Sequence, residues 1–183
     1  IEGCTFKGCE TRAAQIGGKE ATDENLQVNF KNCLFSANTA ANSGNVIVPD
    51  SSTGGILGFN NCRFENNVAT KGPASAIYTN TGKTAIFLNK CSFYGNKCTT
   101  GSNAYTIGAN NAVTRFGMNC CSINAGSMKG TDDEGKEKNN SYANGAAITL
   151  KGASVIVNST VWTSGYFGKW GLVALGCATS TKQ

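Results

Sequence analysis

Short apolar runs, separated by Gly, Asn, Ser and Thr, recur along the whole chain. No run keeps the i, i+3, i+4 spacing of an amphipathic helix over ten residues. Within several runs apolar and polar residues alternate, which is typical of a strand with one buried face. The pattern therefore predicts an all-β chain built from many short strands.

The pattern repeats about every 29 residues. Cys4, Cys33, Cys62, Cys91 and Cys121 each open a similar phrase, and a degenerate sixth copy begins at Ser159. Each copy holds three strand-like runs and is too short to bury a core of its own, so the copies must stack. We therefore expect a right-handed parallel β-helix, a single-stranded solenoid of about six coils with three short strands per coil.

Stacked coils place like residues above each other, one strand spacing apart. We expect the five cysteines named above to point inward. The first run adds an internal column of Phe6, Phe35, Phe64, Phe93, Ile123 and Val161. The second run supplies Ile16, Ile47, Ile77, Ile107, Ile148 and Val173. The third run supplies Phe30, Phe59, Leu88, Met118 and Ile156 and, two residues earlier, Val28, Leu57, Ile86, Phe116 and Ser154.

Asn residues mark the turns, where their amides tolerate unusual backbone and stack from coil to coil. They are Asn38, Asn67 and Asn96, five residues after a Cys, and Asn60, Asn89 and Asn119, two before one. The fifth copy is about nine residues too long, and we place the surplus in an exposed loop at 127–142. Residues 1–183 then form one β-helix domain, which we expect to be part of a longer solenoid.

Two motifs resemble a known family. F-x-x-N occurs at Phe35–Asn38, Phe64–Asn67 and Phe93–Asn96, and small residues lead into Ile148 in the run Asn144–Ile148. They resemble the F-x-x-N and G-G-A-I repeats of polymorphic outer-membrane protein passenger domains. The resemblance implies a right-handed β-helix that is displayed at the cell surface and used in adhesion.

Composition narrows the chemistry further. The chain has no His, which removes the commonest general base and metal ligand. A net charge of +5 without a basic stripe gives no support to nucleic-acid binding, and no apolar run is long enough to insert into a membrane. No two acids share an outer face on adjacent coils, as pectate-lyase-like or hydrolytic sites would require. The sequence predicts no catalytic residue, metal site or cofactor.

Three features leave alternatives open. The nine cysteines form either disulfides or a ladder of buried thiols, and in-register neighbours favour thiols. The second feature is an aromatic cluster near the C-terminal end, which consists of Trp162, Tyr166, Phe167 and Trp170. These side chains either cover the end of the core or bind sugars or partner chains. Sequons at Asn139 and Asn158 are candidate glycosylation sites, provided that the source is eukaryotic.

The sequence thus predicts a non-catalytic, secreted or cell-surface β-helix that serves as a structural spacer, adhesin segment or assembly subunit. The alternative is a carbohydrate-binding or polysaccharide-cleaving β-helix. Expected partners are further coils of the same chain or other subunits, joined end to end, and glycans.

Overall fold

A computed structural model of the chain describes residues 1–16, 27–41, 44–48, 55–70, 74–79, 84–98, 105–112, 115–126, 130–131, 137–138, 148–151, 154–165 and 173–175. Within these ranges the chain forms strands, turns and bends and contains no helix, hence none that could span a membrane. The expectation of an all-β chain is confirmed.

The strands follow the 29-residue repeat. The first repeat contains β1 (Thr5–Lys7), β2 (Ala14–Gln15) and β3 (Gln27–Lys31). The second contains β4 (Leu34–Ser36), β5 (Thr39–Ala40), β6 (Val46–Val48) and β7 (Gly55–Asn60). The third contains β8 (Arg63–Glu65), β9 (Val68–Ala69), β10 (Ala74–Thr79) and β11 (Thr84–Asn89). The fourth contains β12 (Ser92–Tyr94), β13 (Lys97–Cys98), β14 (Tyr105–Ala112) and β15 (Arg115–Asn119). The fifth contains β16 (Ser122–Gly126), β17 (Gly130–Thr131), β18 (Glu137–Lys138), β19 (Ile148–Lys151) and β20 (Ser154–Asn158), and the sixth β21 (Val161–Gly165) and β22 (Val173–Leu175).

Strands pair in parallel with their counterparts in the neighbouring repeats. The first sheet has the order β1-β4-β8-β12-β16-β21, and the second β2-β6-β10-β14-β19-β22. The third has the order β3-β7-β11-β15-β20, and a short fourth sheet joins β5, β9 and β13. Within each sheet the strand order is therefore the order of the repeats along the chain.

Backbone hydrogen bonds fix this register in the first sheet. The amide N–H groups of Leu34 and Arg63 donate to the carbonyl oxygens of Cys4 and Cys33, both at 2.9 Å. The amide of Ser92 donates to Cys62 at 3.0 Å. Each cysteine thus holds the strand of the following repeat, and like side chains lie directly above each other.

Aromatic rings fill the core between the first and third sheets. Phe64 is completely buried, and its ring lies 4.7 Å from those of Phe35 and Phe93, with planes within 4° of parallel. From the third sheet, Phe59 meets the edge of Phe64 at 5.2 Å and 73°. The same pattern joins Phe30 to Phe35, so stacked and edge-on contacts alternate through the core.

A left-handed residue turns the chain from the third sheet into the first in successive repeats. Its φ lies between 46° and 54° at Asn32, Asn61, Lys90, Cys120 and Ser159. Asn adopts this conformation with the least strain among residues that carry a side chain. The predicted turn residues Asn60, Asn89 and Asn119 are instead the last residues of β7, β11 and β15. The turn therefore lies one residue later than predicted, at Asn61, Lys90 and Cys120.

The register of the sixth repeat differs from the prediction by one residue. Ile123 pairs with Trp162 rather than Val161, and Met118 pairs with Val157 rather than Ile156. The left-handed turn explains the shift, because Ser159 takes the position of Cys120 and Thr160 that of Cys121. Matching Ser159 to Cys121 was therefore wrong.

In the second sheet, the prediction was wrong for the first two repeats. Ile77 pairs with Val46, and Val46 pairs with Ala14, so Ile47 and Ile16 lie outside this column. Asn45 anchors the register, because its buried amide donates to Ser75 O at 2.8 Å and to Val68 O at 3.2 Å. From Ile77 onward the column continues as predicted through Ile107, Ile148 and Val173.

The predicted loop at 127–142 contains a local hairpin. Gly130 pairs antiparallel with Lys138, and Thr131 with Glu137. The other residues of the loop lie outside the described ranges.

Phe64 and Arg63 provide a matched test of the strand faces. Phe64→Ala should lower the free energy of unfolding by roughly 3–5 kcal/mol, because it leaves a cavity within the continuous stack. Arg63 is exposed and pairs with Glu65 at 2.6 Å, so Arg63→Ala should cost under about 1 kcal/mol. Denaturant unfolding measures both, and equal losses would show that the faces are assigned the wrong way round.

Candidate functional site

The predicted cysteine column forms one line inside the molecule. Cys33, Cys62, Cys91 and Cys121 are buried, whereas Cys4 lies at the outer end of the line and is exposed. Each buried thiol contacts backbone oxygens, as Cys62 Sγ does with Phe30 O and Asn60 O, both at 3.4 Å. In the structure these thiols are free.

Hydrogen bonds between neighbouring thiols shift the pKa values along this line in opposite directions. The hydrogen bond with Cys91 lowers the pKa of Cys62 and of Cys121 to about 7, although burial keeps both side chains away from solvent. Hydrogen bonding with Cys121 and Cys62, together with burial, raises the pKa of Cys91, so its thiol stays protonated. Cys120 is exposed, although it is adjacent to Cys121 in sequence. The left-handed turn at Cys120 directs the two side chains to different sides of the sheet.

Three predicted turn residues, Asn38, Asn67 and Asn96, form a buried ladder rather than a ligand site. The Asn67 side chain donates to Phe35 O at 2.9 Å and to Asn96 Oδ1 at 2.9 Å. Its own Oδ1 accepts the backbone N–H and the side-chain N–H of Asn38 at 3.1 and 3.0 Å. Every donor and acceptor of this side chain is engaged within the protein.

The remaining predicted surface residues are only partly described. The backbone of Trp162 lies in β21, opposite Ile123. Asn158 is exposed at the end of β20. The other three aromatic residues and the second sequon lie outside the described residues: Tyr166, Phe167, Trp170 and Asn139.

An open groove of about 570 Å³ runs across the outer face of the third sheet. Two columns of in-register residues on this face line the groove. One column forms its floor, and the other, two residues further along each strand, forms its side. The floor column consists of Asn29, Gly58, Phe87 and Gly117. The side column consists of Lys31, Asn60, Asn89, Asn119 and Asn158. We call this surface the Phe87 groove.

Phe87 is an exposed aromatic residue in the middle of the groove. The residue is 41% exposed, while Ile86 and Leu88 on either side of it in β11 are buried. Both in-register neighbours, Gly58 and Gly117, lack a side chain. A Cβ at Gly117 would lie 2.9 Å from Phe87 Cδ1, so the ring rests against the glycine backbone. In the same way Asn29 lies over Gly58 on the strand that follows its own.

Exposed amides form the side of the groove. Asn89 donates to Asn60 Oδ1 at 3.4 Å and accepts from Asn119 Nδ2 at 3.0 Å. An Asn amide offers two N–H groups and two lone pairs, so this ladder engages half of the capacity of Asn89. Lys31 at the end of the row pairs with Glu2 at 2.9 Å and lowers the pKa of that carboxyl group. The groove is therefore polar along its side and carries little net charge.

Reasoning from the sequence missed Phe87, although the signal is present. The alternation in β11 places Ile86 and Leu88 inside and Phe87 outside. The positions 29 residues before and 30 residues after Phe87 are both glycine. An outward aromatic residue between two glycines of adjacent strands predicts an accessible ring.

Comparison with known proteins identifies no relative of the chain. No protein-family model matches the chain, and neither a curated protein nor a solved structure shows significant similarity to it.

Alkylation of the native protein tests the placement of the thiols. With iodoacetamide, Cys4 and Cys120 should be modified, because both are exposed, whereas Cys62, Cys91 and Cys121 should be protected. Peptide mass spectrometry localises the label, and the denatured protein serves as the control for full reactivity. Modification of Cys121 ahead of Cys120 would contradict the assigned faces.

Proposed function

We propose that the chain is a right-handed parallel β-helix that acts without catalysis at the cell surface or in the extracellular space. There it serves as a rigid spacer, adhesin segment or assembly subunit. The supporting observation is the register of the sheets, in which Phe6, Phe35, Phe64 and Phe93 pair in sequence, one repeat apart. A chain with this register extends by adding repeats, which suits a protein whose role depends on length and surface.

The order in which the chain visits the sheets supports the proposed solenoid. In each of the first four repeats it passes through the first, second and third sheets in that order. Side chains from all three sheets contribute to one core, for example Phe35, Ile77 and Leu57. The right-handed sense rests on the general preference of parallel crossover connections.

The resemblance to polymorphic outer-membrane protein passenger domains supports the surface location. In the F-x-x-N phrases of this chain, Phe64 stacks in the core and Asn67 joins the buried amide ladder. The motif therefore has a structural role in each repeat. This role is compatible with outer faces that vary freely for adhesion.

The edge of the first sheet supports end-to-end assembly with further repeats or with another subunit. Within the described residues, β1 pairs on one side only, with β4. Phe6, which stacks on Phe35 at 4.7 Å, is only partly buried, and Cys4 is exposed. An edge strand with apolar side chains behind it is a template for another parallel strand.

Carbohydrate binding, or cleavage of polysaccharides, is the second candidate function. The exposed ring of Phe87 in a groove lined with amides favours binding. Among the described residues, the outward Glu65 is held by Arg63, and its in-register neighbours are Ser36 and Tyr94. Binding is therefore better supported than cleavage.

Immunolabelling of the source cells tests the proposed location. Antibodies against the chain should label intact cells, and beads coated with the protein should adhere to surfaces that these cells colonise. An antibody against an internal protein of the same cells is the control for membrane integrity. Labelling that requires permeabilisation would overturn the proposal.

Sedimentation velocity tests the proposed assembly. The 19.0 kDa chain should self-associate as its concentration rises, through the exposed edge of β1. Cys4→Lys places a charge at the exposed end of the core line and should weaken this association. A protein that stays monomeric at all concentrations, or a variant that associates equally well, would contradict assembly through this edge.

A further inference from the structure

We propose that the Phe87 groove is a binding site for a neutral saccharide chain lying across the strands of the third sheet. An adhesin at the cell surface is exposed to saccharides, so this site rests on the proposed function and specifies its ligand. The floor, the side and the charge of the groove favour this ligand.

The floor supplies a flat apolar platform. Phe87 is 41% exposed in the middle of a sheet, so it forgoes part of the stabilisation that full burial of its side chain would give. Gly117 lets the ring lie against the backbone of the next strand, because a Cβ there would be 2.9 Å from Phe87 Cδ1, while the Asn29 side chain covers Gly58. The apolar C–H face of a pyranose ring fits such a platform.

The side supplies hydrogen-bonding groups that repeat at a constant interval. Asn60, Asn89 and Asn119 occupy successive strands, which lie about 4.8 Å apart. Each amide carries both donors and acceptors, so the row matches a ligand with hydroxyl groups on every unit. A saccharide chain has this regular array, whereas a peptide would need backbone partners that the face of a sheet does not offer.

The charge of the groove selects a neutral ligand. Lys31 is the charged side chain that lines it, and Glu2 neutralises this group by a 2.9 Å ion pair. An acidic polysaccharide would gain little there, because the rest of the lining consists of amides, glycines and apolar residues.

The packing of Phe87 on Gly117 also protects the sheet backbone, so the test must separate stability from binding. Phe87→Leu keeps an apolar cover but removes the flat ring. Phe87→Tyr keeps the ring. Tyr94 is the matched control, because it is an aromatic residue that is 61% exposed on the first sheet, outside the groove.

The experiment uses the whole chain and a glycan array that includes neutral glucans, mannans, xylans and chito-oligosaccharides, with oligogalacturonate as the acidic arm. Hits are quantified by isothermal titration calorimetry, and thermal melting verifies that each variant is folded. The chain should bind at least one neutral class. Phe87→Ala and Phe87→Leu should weaken binding about tenfold, while Phe87→Tyr and Tyr94→Ala should leave it within about threefold.

Three results would overturn the proposal. They are no binding to any neutral saccharide, binding to oligogalacturonate alone, and binding to which folded Phe87→Leu makes no difference. If Phe87→Ala does not fold, the Leu and Tyr variants decide the question. Surface labelling of the source cells is measured separately, so failure of the saccharide site and failure of the proposed location are distinguishable.

Discussion

Each side chain in the core of this protein depends on its counterpart one repeat away. A single repeat of about 29 residues has strands of two to eight residues and cannot bury an apolar face alone. Parallel pairing in register supplies the missing partner for Phe, Cys and Asn alike. The ring contacts at 4.7 Å between Phe35, Phe64 and Phe93 are one strand spacing, so stacking and backbone pairing satisfy the same geometry.

This dependence divides the positions of a repeat into two kinds. Inner positions must match in volume or hydrogen bonding from repeat to repeat, as the buried Asn67 does through its bonds to Asn38 and Asn96. Outer positions are less uniform. The amide column of Asn60, Asn89 and Asn119 repeats, whereas the residue changes from repeat to repeat in the column that runs from Asn29 through Gly58 to Phe87. We therefore expect a functional surface where a residue in an outer column differs from its counterparts in the adjacent repeats. Phe87 is such a residue, because both counterparts are glycine.

The sequence was sufficient for the inner columns and insufficient for their exact offsets. The F-x-x-N phrases predicted the Phe and Asn columns because both residues have one suitable environment in each repeat. The predicted alignment of the sixth repeat was displaced by one residue, because sequence similarity matched Ser159 to Cys121. In the structure Ser159 is the left-handed residue and therefore matches Cys120. The groove could not be predicted from the inner columns, because Phe87 faces outward between two glycines and belongs to none of them.

Nuclear magnetic resonance of the isotopically labelled chain tests the stacking of repeats most directly. Nuclear Overhauser contacts should join residues one repeat apart, such as the amide of Arg63 with Cys33 and that of Ser92 with Cys62, whose amide N and carbonyl O atoms lie 2.9 and 3.0 Å apart. The third sheet should show the same spacing between Ile86 and Leu57. Contacts that instead join strands adjacent in sequence, as in antiparallel hairpins, would contradict the stacking of repeats on which the core, the amide ladder and the Phe87 groove depend.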